Sequence, residues 1–438
     1  MRTPILRNSA LALILTLTSF VLTGCGSEPA SETPATTAGL DPAALVGTWR
    51  AVLASPGGEL PFTLKVNDTS GTLNAIAVTG PEEIPFSSVE IQGEQAVFHF
   101  EWYDSEITTT LNGADLQGTW RRTSAEGANS TLAFTAQRDS DKPRFLPPTD
   151  AGIETVADAP ASIAGNWAVE FTDEDGTEQA RGEFEQNGND VNGTFLTPTG
   201  DYRFLEGSYE QGVLRLSTFD GAHAFLFQAK ADAEGNLTGD FWSRDTYHAT
   251  WTARPLGEGE SVLPDAWAEV GLTNDEGNFS FAFDDIDGKA MTFPNDDYKG
   301  KVVIVNIFGS WCPNCNDEAP FLAKLHKEKR DQGLEIVGLA YEFTGDVERD
   351  REMVRRFGKR YGIEYPLLLA GLSDKAKAAE TLPDLTAVLS YPTTIFIGRD
   401  GRVRKIHSGF SGPGTGEHYE RLVAEMNGLV DELLAESS

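Results

Sequence analysis

An internal repeat in the front half of the chain constrains its fold more than any other sequence feature. The segment LVGTWRAVL (residues 45–53) resembles IAGNWAVEF (residues 163–171), and the later segments LAFTAQR and ATWTAR follow in the same relation. The offset between the paired segments is about 120 residues, which is the signature of two copies of one structural unit. The repeat therefore predicts two related domains, over residues 43–139 and 160–257.

Both copies have the pattern of antiparallel β-structure. Apolar and polar residues alternate in stretches such as FTLKV and RGEFEQ, which is the two-residue period of a half-buried strand. Each copy is therefore predicted to be a meander of about eight strands that forms a small barrel or sandwich. We expect Trp49 and Trp167 to fill the floor of each barrel rather than to bind a ligand, and His223 and His248 to be ordinary strand or surface residues.

Length and net charge limit the kinds of protein that this chain can be. A chain of 438 residues is too long for one hydrophobic core and indicates several domains. Its formal net charge of −32 argues against nucleic acid as a partner, because a polyanion would be repelled.

The N-terminus has the pattern of a secretory signal, with two arginines before an apolar run. The sequence LTGC that follows resembles the lipobox of bacterial lipoproteins, which implies removal of residues 1–24 and attachment of lipid to Cys25. In two-membrane bacteria, Gly26 rather than Asp after that cysteine implies the outer membrane. The polar, low-complexity residues 25–42 are predicted to be a disordered tether.

The pattern changes beyond residue 257. GKVVIVNIFGS and GLEIVGLAYEF are typical of buried strands, residues 316–330 have helical periodicity, and a closing helix is predicted over residues 417–435. The order β-α-β-α-β-β-α predicts a compact α/β domain with one mixed sheet over residues 263–438. The chain is thus predicted to be a multidomain protein, with an N-terminal all-β duplicated meander followed by this α/β domain.

The motif GSWCPNC contains Cys312 and Cys315, two of only three cysteines in the chain. Two thiols at this spacing can form a redox couple, half of a metal site or a structural clip. With Cys25 assigned to lipid, a single pair in a large domain is a poor structural staple. A zinc site needs four ligands, and no second Cys pair or nearby His completes one, since His326 lies about three helical turns away. A redox-active dithiol is the favoured interpretation, with no metal and no other cofactor.

The motif lies where a buried strand ends and a helix begins. The unpaired N–H groups at a helix N-terminus stabilise a thiolate. We expect Cys312, at the exposed end, to attack the substrate, and Cys315, one turn further on and beneath it, to resolve the mixed disulfide.

The stretch DIDGKAMTFPNDDYKGKVVIVNIFGSWCPNC resembles the TlpA-like family of membrane-anchored periplasmic thiol-disulfide oxidoreductases. The resemblance covers residues 263–436 and includes Pro392, which opens a late strand. It implies a thioredoxin-like fold that reduces disulfides of exported proteins, such as those that receive haem or copper, and that is recharged by a membrane or periplasmic thiol donor.

The same resemblance assigns roles to single residues. It implies that Pro392 has a cis peptide bond and faces the cysteines, that the backbone of Tyr391 pairs with an extended substrate next to Thr393, and that Trp311 shapes the substrate face. It also implies that Glu318 is buried and takes a proton from Cys315, although an exposed glutamate in the first helical turn is the alternative.

One departure from the family pattern and two alternative functions remain. The family commonly has Pro where this chain has Asn314. This difference leaves open whether the dithiol reduces or oxidises its substrates. A peroxiredoxin-like peroxidase shares the fold, but Gly309 and Val305 replace the Thr and Pro that it requires before its cysteine. In the other alternative, the β half is an adaptor that recruits a ligand or client; otherwise the β half could hold the active site away from its membrane.

Overall fold

A computed structural model describes residues 39–123, 129–138 and 142–436. The predicted signal peptide, the lipidation at Cys25 and most of the predicted tether lie outside the described residues. The last residues of that tether are ordered, however. The N–H of Leu40 donates to Gly93 O at 2.8 Å, and Asp41 caps a short 3₁₀ helix that begins at Pro42.

The first β copy is an antiparallel meander of nine strands, as the alternating pattern predicts. Its sheet is ordered β4-β3-β2-β1-β9-β8-β7-β6-β5, so that the first and last strands pair at its centre. The strands are β1 Gly47–Ser55, β2 Gly58–Thr69, β3 Thr72–Thr79, β4 Glu82–Pro85, β5 Ser88–Gln92, β6 Gln95–Phe100, β7 Ser105–Asn112, β8 Asp115–Thr123 and β9 Asn129–Arg138.

The second β copy closes into a ring. Its strands are β10 Gly165–Asp173, β11 Gly176–Asn187, β12 Asp190–Thr197, β13 Gly200–Asp201, β14 Leu205–Glu210, β15 Val213–Phe219, β16 Ala224–Ala231, β17 Leu237–Ser243 and β18 Tyr247–Pro255. β10 pairs with both β11 and β18, and β11 pairs with β12, so every strand of the ring has two partners except the short β13 at its side. Ring closure removes the exposed edges of an open sheet.

The two copies share a buried tryptophan with the same hydrogen bond, and they pack together. Trp49 and Trp167 are buried, and the indole N–H of each donates at 2.9 Å to the carbonyl four residues earlier. Phe219 of the second copy lies in the core of the first, with its ring centroid 4.6 Å from that of Phe62. His223 and His248 pair with Asp220 and Asp240.

The C-terminal part is the predicted α/β domain with one mixed sheet, ordered β20-β19-β23-β22-β21-β24-β25. Its elements are β19 Phe281–Asp285, β20 Ala290–Phe293, β21 Val302–Phe308, α1 Pro313–Lys329, β22 Leu334–Glu342, α2 Val347–Tyr361, β23 Leu367–Leu372, α3 Lys375–Thr381, β24 Thr393–Ile397, β25 Val403–Ser408 and α4 Glu417–Ala435. The strands β21, β22 and β23 are parallel, and β24 runs antiparallel beside β21.

Most of the predicted elements of this domain are confirmed. The closing helix has the predicted bounds, whereas α1 begins three residues earlier than its periodicity indicates, because a proline suits the first turn of a helix. The short helix α3 was not predicted, since its sequence KAKAAET has no apolar periodicity. Among the helices in the described parts of the chain, none has the length and apolar character needed to cross a bilayer.

Both β copies contact the C-terminal domain directly. Asp104 of the first copy pairs with Arg349 of α2. Trp102 of the same copy has its ring centroid 4.0 Å from the guanidinium of Arg360, also in α2. In the second copy, Arg203 pairs with Asp317 of α1 at 2.9 Å. The β half therefore packs against the domain that carries the redox motif.

Candidate active site

The two cysteines lie at the junction of β21 and α1. The strand VVIVNIF is buried along its whole length, and the chain leaves it at Phe308 to begin the helix at Pro313. Cys312 caps this helix, and its Sγ accepts the N–H of Cys315 at 3.3 Å. The helix N-terminus thus directs a backbone donor at the first thiol, as the sequence predicts.

Both cysteines are free thiols, and both are buried. The exposed fraction is 4% for Cys312 and 2% for Cys315, so the prediction that Cys312 is at an exposed end is wrong. Long-range contacts surround the motif, since Thr199 of the second β copy accepts a hydrogen bond from Ser390 and Gly200 lies against the side chain of Asn314. Burial, followed by the neighbouring Cys312 thiol, raises the pKa of Cys315 well above its usual range.

The predicted proline lies beside the first thiol. The Tyr391–Pro392 peptide bond is cis, and the S–H of Cys312 donates to the carbonyl of Tyr391 at 3.3 Å. The carbonyl predicted to pair with a substrate thus contacts the sulfur itself. The hydroxyl of Thr393 is buried and donates to Ser390 O at 2.8 Å, so any substrate contact by Thr393 would use its backbone.

Trp311 is half-buried beside the thiols. Its indole N–H donates to Tyr341 O at 2.9 Å, and its ring meets that of Tyr391 edge-on with centroids 5.7 Å apart. These contacts fix the ring at the position from which it was predicted to shape the substrate face.

Glu318 is the buried carboxylate that the resemblance implies. It is 1% exposed, and it accepts hydrogen bonds from Thr394 at 2.6 Å and from the amide of Asn306 at 2.7 Å. Burial raises its pKa to about 7, against which the two hydrogen bonds act. The alternative of an exposed first-turn glutamate is therefore wrong.

Comparison with known proteins identifies the family. The profile of the Redoxin family matches residues 275–422. The thioredoxin-like protein YneN of Bacillus subtilis is 30% identical over 141 residues, which are 32% of this chain and 75% of that protein. The chain belongs to the thioredoxin-like family. Its thioredoxin-like domain is the C-terminal α/β unit that carries the two cysteines.

Other relatives match the same thioredoxin-like domain. The thiol-disulfide oxidoreductases ResA of Halalkalibacterium halodurans and Bacillus subtilis are 30% and 32% identical over 130 residues, or 30% of this chain. The chain spans 65% and 64% of the length of these two relatives. Among solved structures, a thioredoxin-family thiol:disulfide interchange protein of Chlorobium tepidum is 24% identical, with a TM-score of 0.29, and the match covers 36% of this chain and 96% of that one.

Two further buried polar residues of the thioredoxin-like domain were not predicted. Glu342, at the end of β22, is 2% exposed and accepts both the N–H and the O–H of Ser310 at 2.8 Å. The side-chain amide of Asn316 donates to Cys312 O at 2.7 Å and to Ser310 O at 3.1 Å. Neither belongs to a local motif, although a glutamate at the end of an otherwise apolar strand is a signal that could have been noticed. Both hold the loop that carries Cys312.

Replacement of Glu342 by Ala is expected to destabilise this loop. The change leaves the buried N–H and O–H of Ser310 without a partner, which should lower the free energy of unfolding by about 1–3 kcal/mol. Chemical denaturation of the full chain measures the effect. Glu348→Ala, at a glutamate whose side chain is 86% exposed, should change that free energy by no more than about 0.5 kcal/mol. Equal effects of the two changes would contradict the assigned role.

Proposed function

We propose that this chain is a thiol-disulfide oxidoreductase that reduces disulfides of exported proteins. The observation that carries the proposal is the placement of a dithiol at a helix N-terminus, with the S–H of Cys312 3.3 Å from the carbonyl before Pro392. The names of the ResA relatives, which are thiol-disulfide oxidoreductases, support the same chemistry.

The proposed reaction transfers two electrons in two steps. The thiolate of Cys312 attacks one sulfur of the substrate disulfide and forms a mixed disulfide, while the other substrate sulfur leaves as a thiolate and takes a proton. Cys315 then attacks the sulfur of Cys312, which releases the second substrate sulfur as a thiol. The products are a reduced substrate and a Cys312–Cys315 disulfide, which a thiol donor must reduce before the next cycle.

Glu318 is proposed to serve the second step. Cys315 must lose its proton before it can attack, and burial raises its pKa. A carboxylate with a pKa of about 7 is matched to accept a proton at neutral pH. The negative charge of Glu318 is also among the causes that raise the pKa of Cys315.

The location and partners are proposed from the sequence. The secretory signal and the lipobox at Cys25 support a lipid-anchored protein of the bacterial cell envelope that faces the periplasm, with the outer membrane favoured by Gly26. Exported protein disulfides, including those of cytochromes before haem attachment, would be the substrates. A membrane or periplasmic thiol would be the electron donor, and the Cys312–Cys315 couple would need no metal or other cofactor.

A redox titration tests both the chemistry and its direction. The full chain is equilibrated with mixtures of reduced and oxidised glutathione, and the dithiol is quantified by acid quenching and mass spectrometry. A reductase predicts a potential below roughly −200 mV, whereas a value near about −120 mV, typical of strong dithiol oxidants, would contradict the proposed direction. Asn314→Pro, which restores the family's common residue, measures how far Asn314 sets that potential.

A further inference from the structure

A turn of the second β copy lies against the loops that flank the dithiol. We call residues 198–200, which lead from the end of β12 into β13, the covering turn. The hydroxyl of Ser390, two residues before the cis proline, donates to Thr199 O at 2.9 Å. A Cβ placed on Gly200 would come within 1.7 Å of the Asn314 amide nitrogen, inside the CxxC motif. The covering turn therefore touches both the proline loop and the loop of the cysteines.

A third contact joins the covering turn to Gly409, directly after β25. A Cβ placed on Gly409 would lie 3.0 Å from the backbone of Thr199 and 3.2 Å from Pro198 O. The N–H of Gly409 in turn donates to Pro392 O at 2.8 Å, so this glycine links the covering turn to the cis proline. Close approach of two backbones leaves no room for a side chain at Gly409, and the side chain of Asn314 occupies the corresponding space at Gly200.

The covering turn has a defined conformation of its own. Thr197 pairs with Gly200 across β12 and β13, and Gly200 has a φ of 153°, which favours glycine. The hydroxyl of Thr197 accepts the N–H of Thr199 at 3.3 Å and lies 3.2 Å from the hydroxyl of that residue. These bonds hold Thr199 in the position from which its carbonyl reaches Ser390.

A buried charge cluster anchors the covering turn to the thioredoxin-like domain. Asp201 accepts the N–H of Gly412 at 2.6 Å, and Arg203 pairs with Asp317, two residues after Cys315, at 2.9 Å. Arg203 is only 7% exposed and also pairs with Glu82 of the first β copy. Loss of one partner from a buried ion pair leaves the other charge uncompensated, so the arginine holds three parts of the chain together.

We propose that the covering turn is a specificity gate, which must leave the dithiol before the disulfide of a folded protein can reach Cys312. The inference rests on the proposed function and names the class of substrate that the gate selects, since a cysteine residue that is only 4% exposed is poorly accessible to the disulfide of a folded protein. Thr199, Gly200 and Arg203 are the residues that set this selection. Small disulfides need a smaller opening than protein disulfides, and the gate therefore discriminates by size.

The gate is tested by labelling, which needs no catalysis. In the full chain with Cys25→Ser and Cys315→Ser, Cys312 is the only thiol. Its rates of reaction with iodoacetamide and with a maleimide carrying a bulky polyethylene glycol are measured. We expect Arg203→Ala to raise the rate with the bulky reagent by about tenfold or more, and to raise the iodoacetamide rate by less. Arg215→Ala, at a buried arginine of the same β copy that contacts Leu146 O and Phe145, should leave both rates within about twofold.

A second, milder variant tests the same contact in case Arg203→Ala does not fold. Ser390→Ala removes only the hydroxyl that donates to Thr199 O, and it should raise the bulky-reagent rate in the same direction. Circular dichroism confirms that each variant is folded. The proposal is overturned if folded Arg203→Ala and Ser390→Ala chains react no faster than the parent, or if the parent slows both reagents equally relative to their rates with a free cysteine peptide. Failure of the glutathione titration would instead refute the proposed function and leave these labelling rates unaffected.

Discussion

Replacing Cys312 by Ser is expected to lower the rate of disulfide exchange by about 10³-fold or more. The hydroxyl of serine stays protonated at neutral pH, and the helix N-terminus that stabilises a thiolate cannot make an effective nucleophile of it. The rate is measured as reduction of a small fluorescent disulfide by the full chain in the presence of a thiol donor, so that the covering turn is not limiting.

Cys25→Ser is the matched control for this change, because it removes the third cysteine of the chain without touching the dithiol. It should leave the exchange rate within about twofold. If the Cys312→Ser chain keeps more than about a tenth of the parent rate, Cys312 is not the attacking nucleophile.

Replacing Glu318 by Gln is expected to slow the release of the mixed disulfide by about 100-fold and to remove the plateau of its pH profile above about pH 7. The carboxylate is the form that accepts the proton, and its pKa is about 7. In the parent chain the rate should therefore rise as pH increases through about 7 and become constant above it. The amide cannot accept a proton at any of these pH values, so this rise to a plateau should be replaced by a slower rate that follows ionisation of the Cys315 thiol to solvent. Single-turnover mixing with oxidised glutathione, followed by acid quenching and mass spectrometry, measures the lifetime of the intermediate.

Glu342→Gln separates this effect from a general effect of buried carboxylates. Burial also raises the pKa of Glu342 to about 7, but this side chain is bonded to Ser310. The pH-dependent rise should persist in this variant. If the rise to a plateau is lost in Glu342→Gln and kept in Glu318→Gln, Glu342 and not Glu318 accepts the proton, which would contradict the proposed role.

The local chemistry of the site could be predicted from the sequence because it depends on neighbours along the chain. The start of a helix next to Cys312 follows from an apolar run that ends just before a proline. The burial of Glu318 and the cis bond of Pro392 were implied by resemblance alone, since Asn306, Thr394 and Glu318 meet only after the sheet has formed.

The burial of the thiols could not be predicted in this way. The covering turn has the sequence PTG, which is ordinary for a turn, and nothing in it indicates that it contacts a motif more than a hundred residues further on. The same holds for Arg203, whose partners Glu82 and Asp317 lie in two other parts of the chain. Alternation and periodicity report which face of an element is buried, but they do not report which domain covers it.

Trapping of the substrate tests the central claim most directly. The Cys315→Ser chain, expressed in cells and quenched with acid, should carry disulfide-linked proteins on Cys312 that dithiothreitol releases, because the residue that resolves the intermediate is missing. The Cys312→Ser chain should carry none. Absence of adducts on a Cys312 that still reacts with iodoacetamide, or equal yields of adducts on Cys315 in the Cys312→Ser chain, would contradict the account.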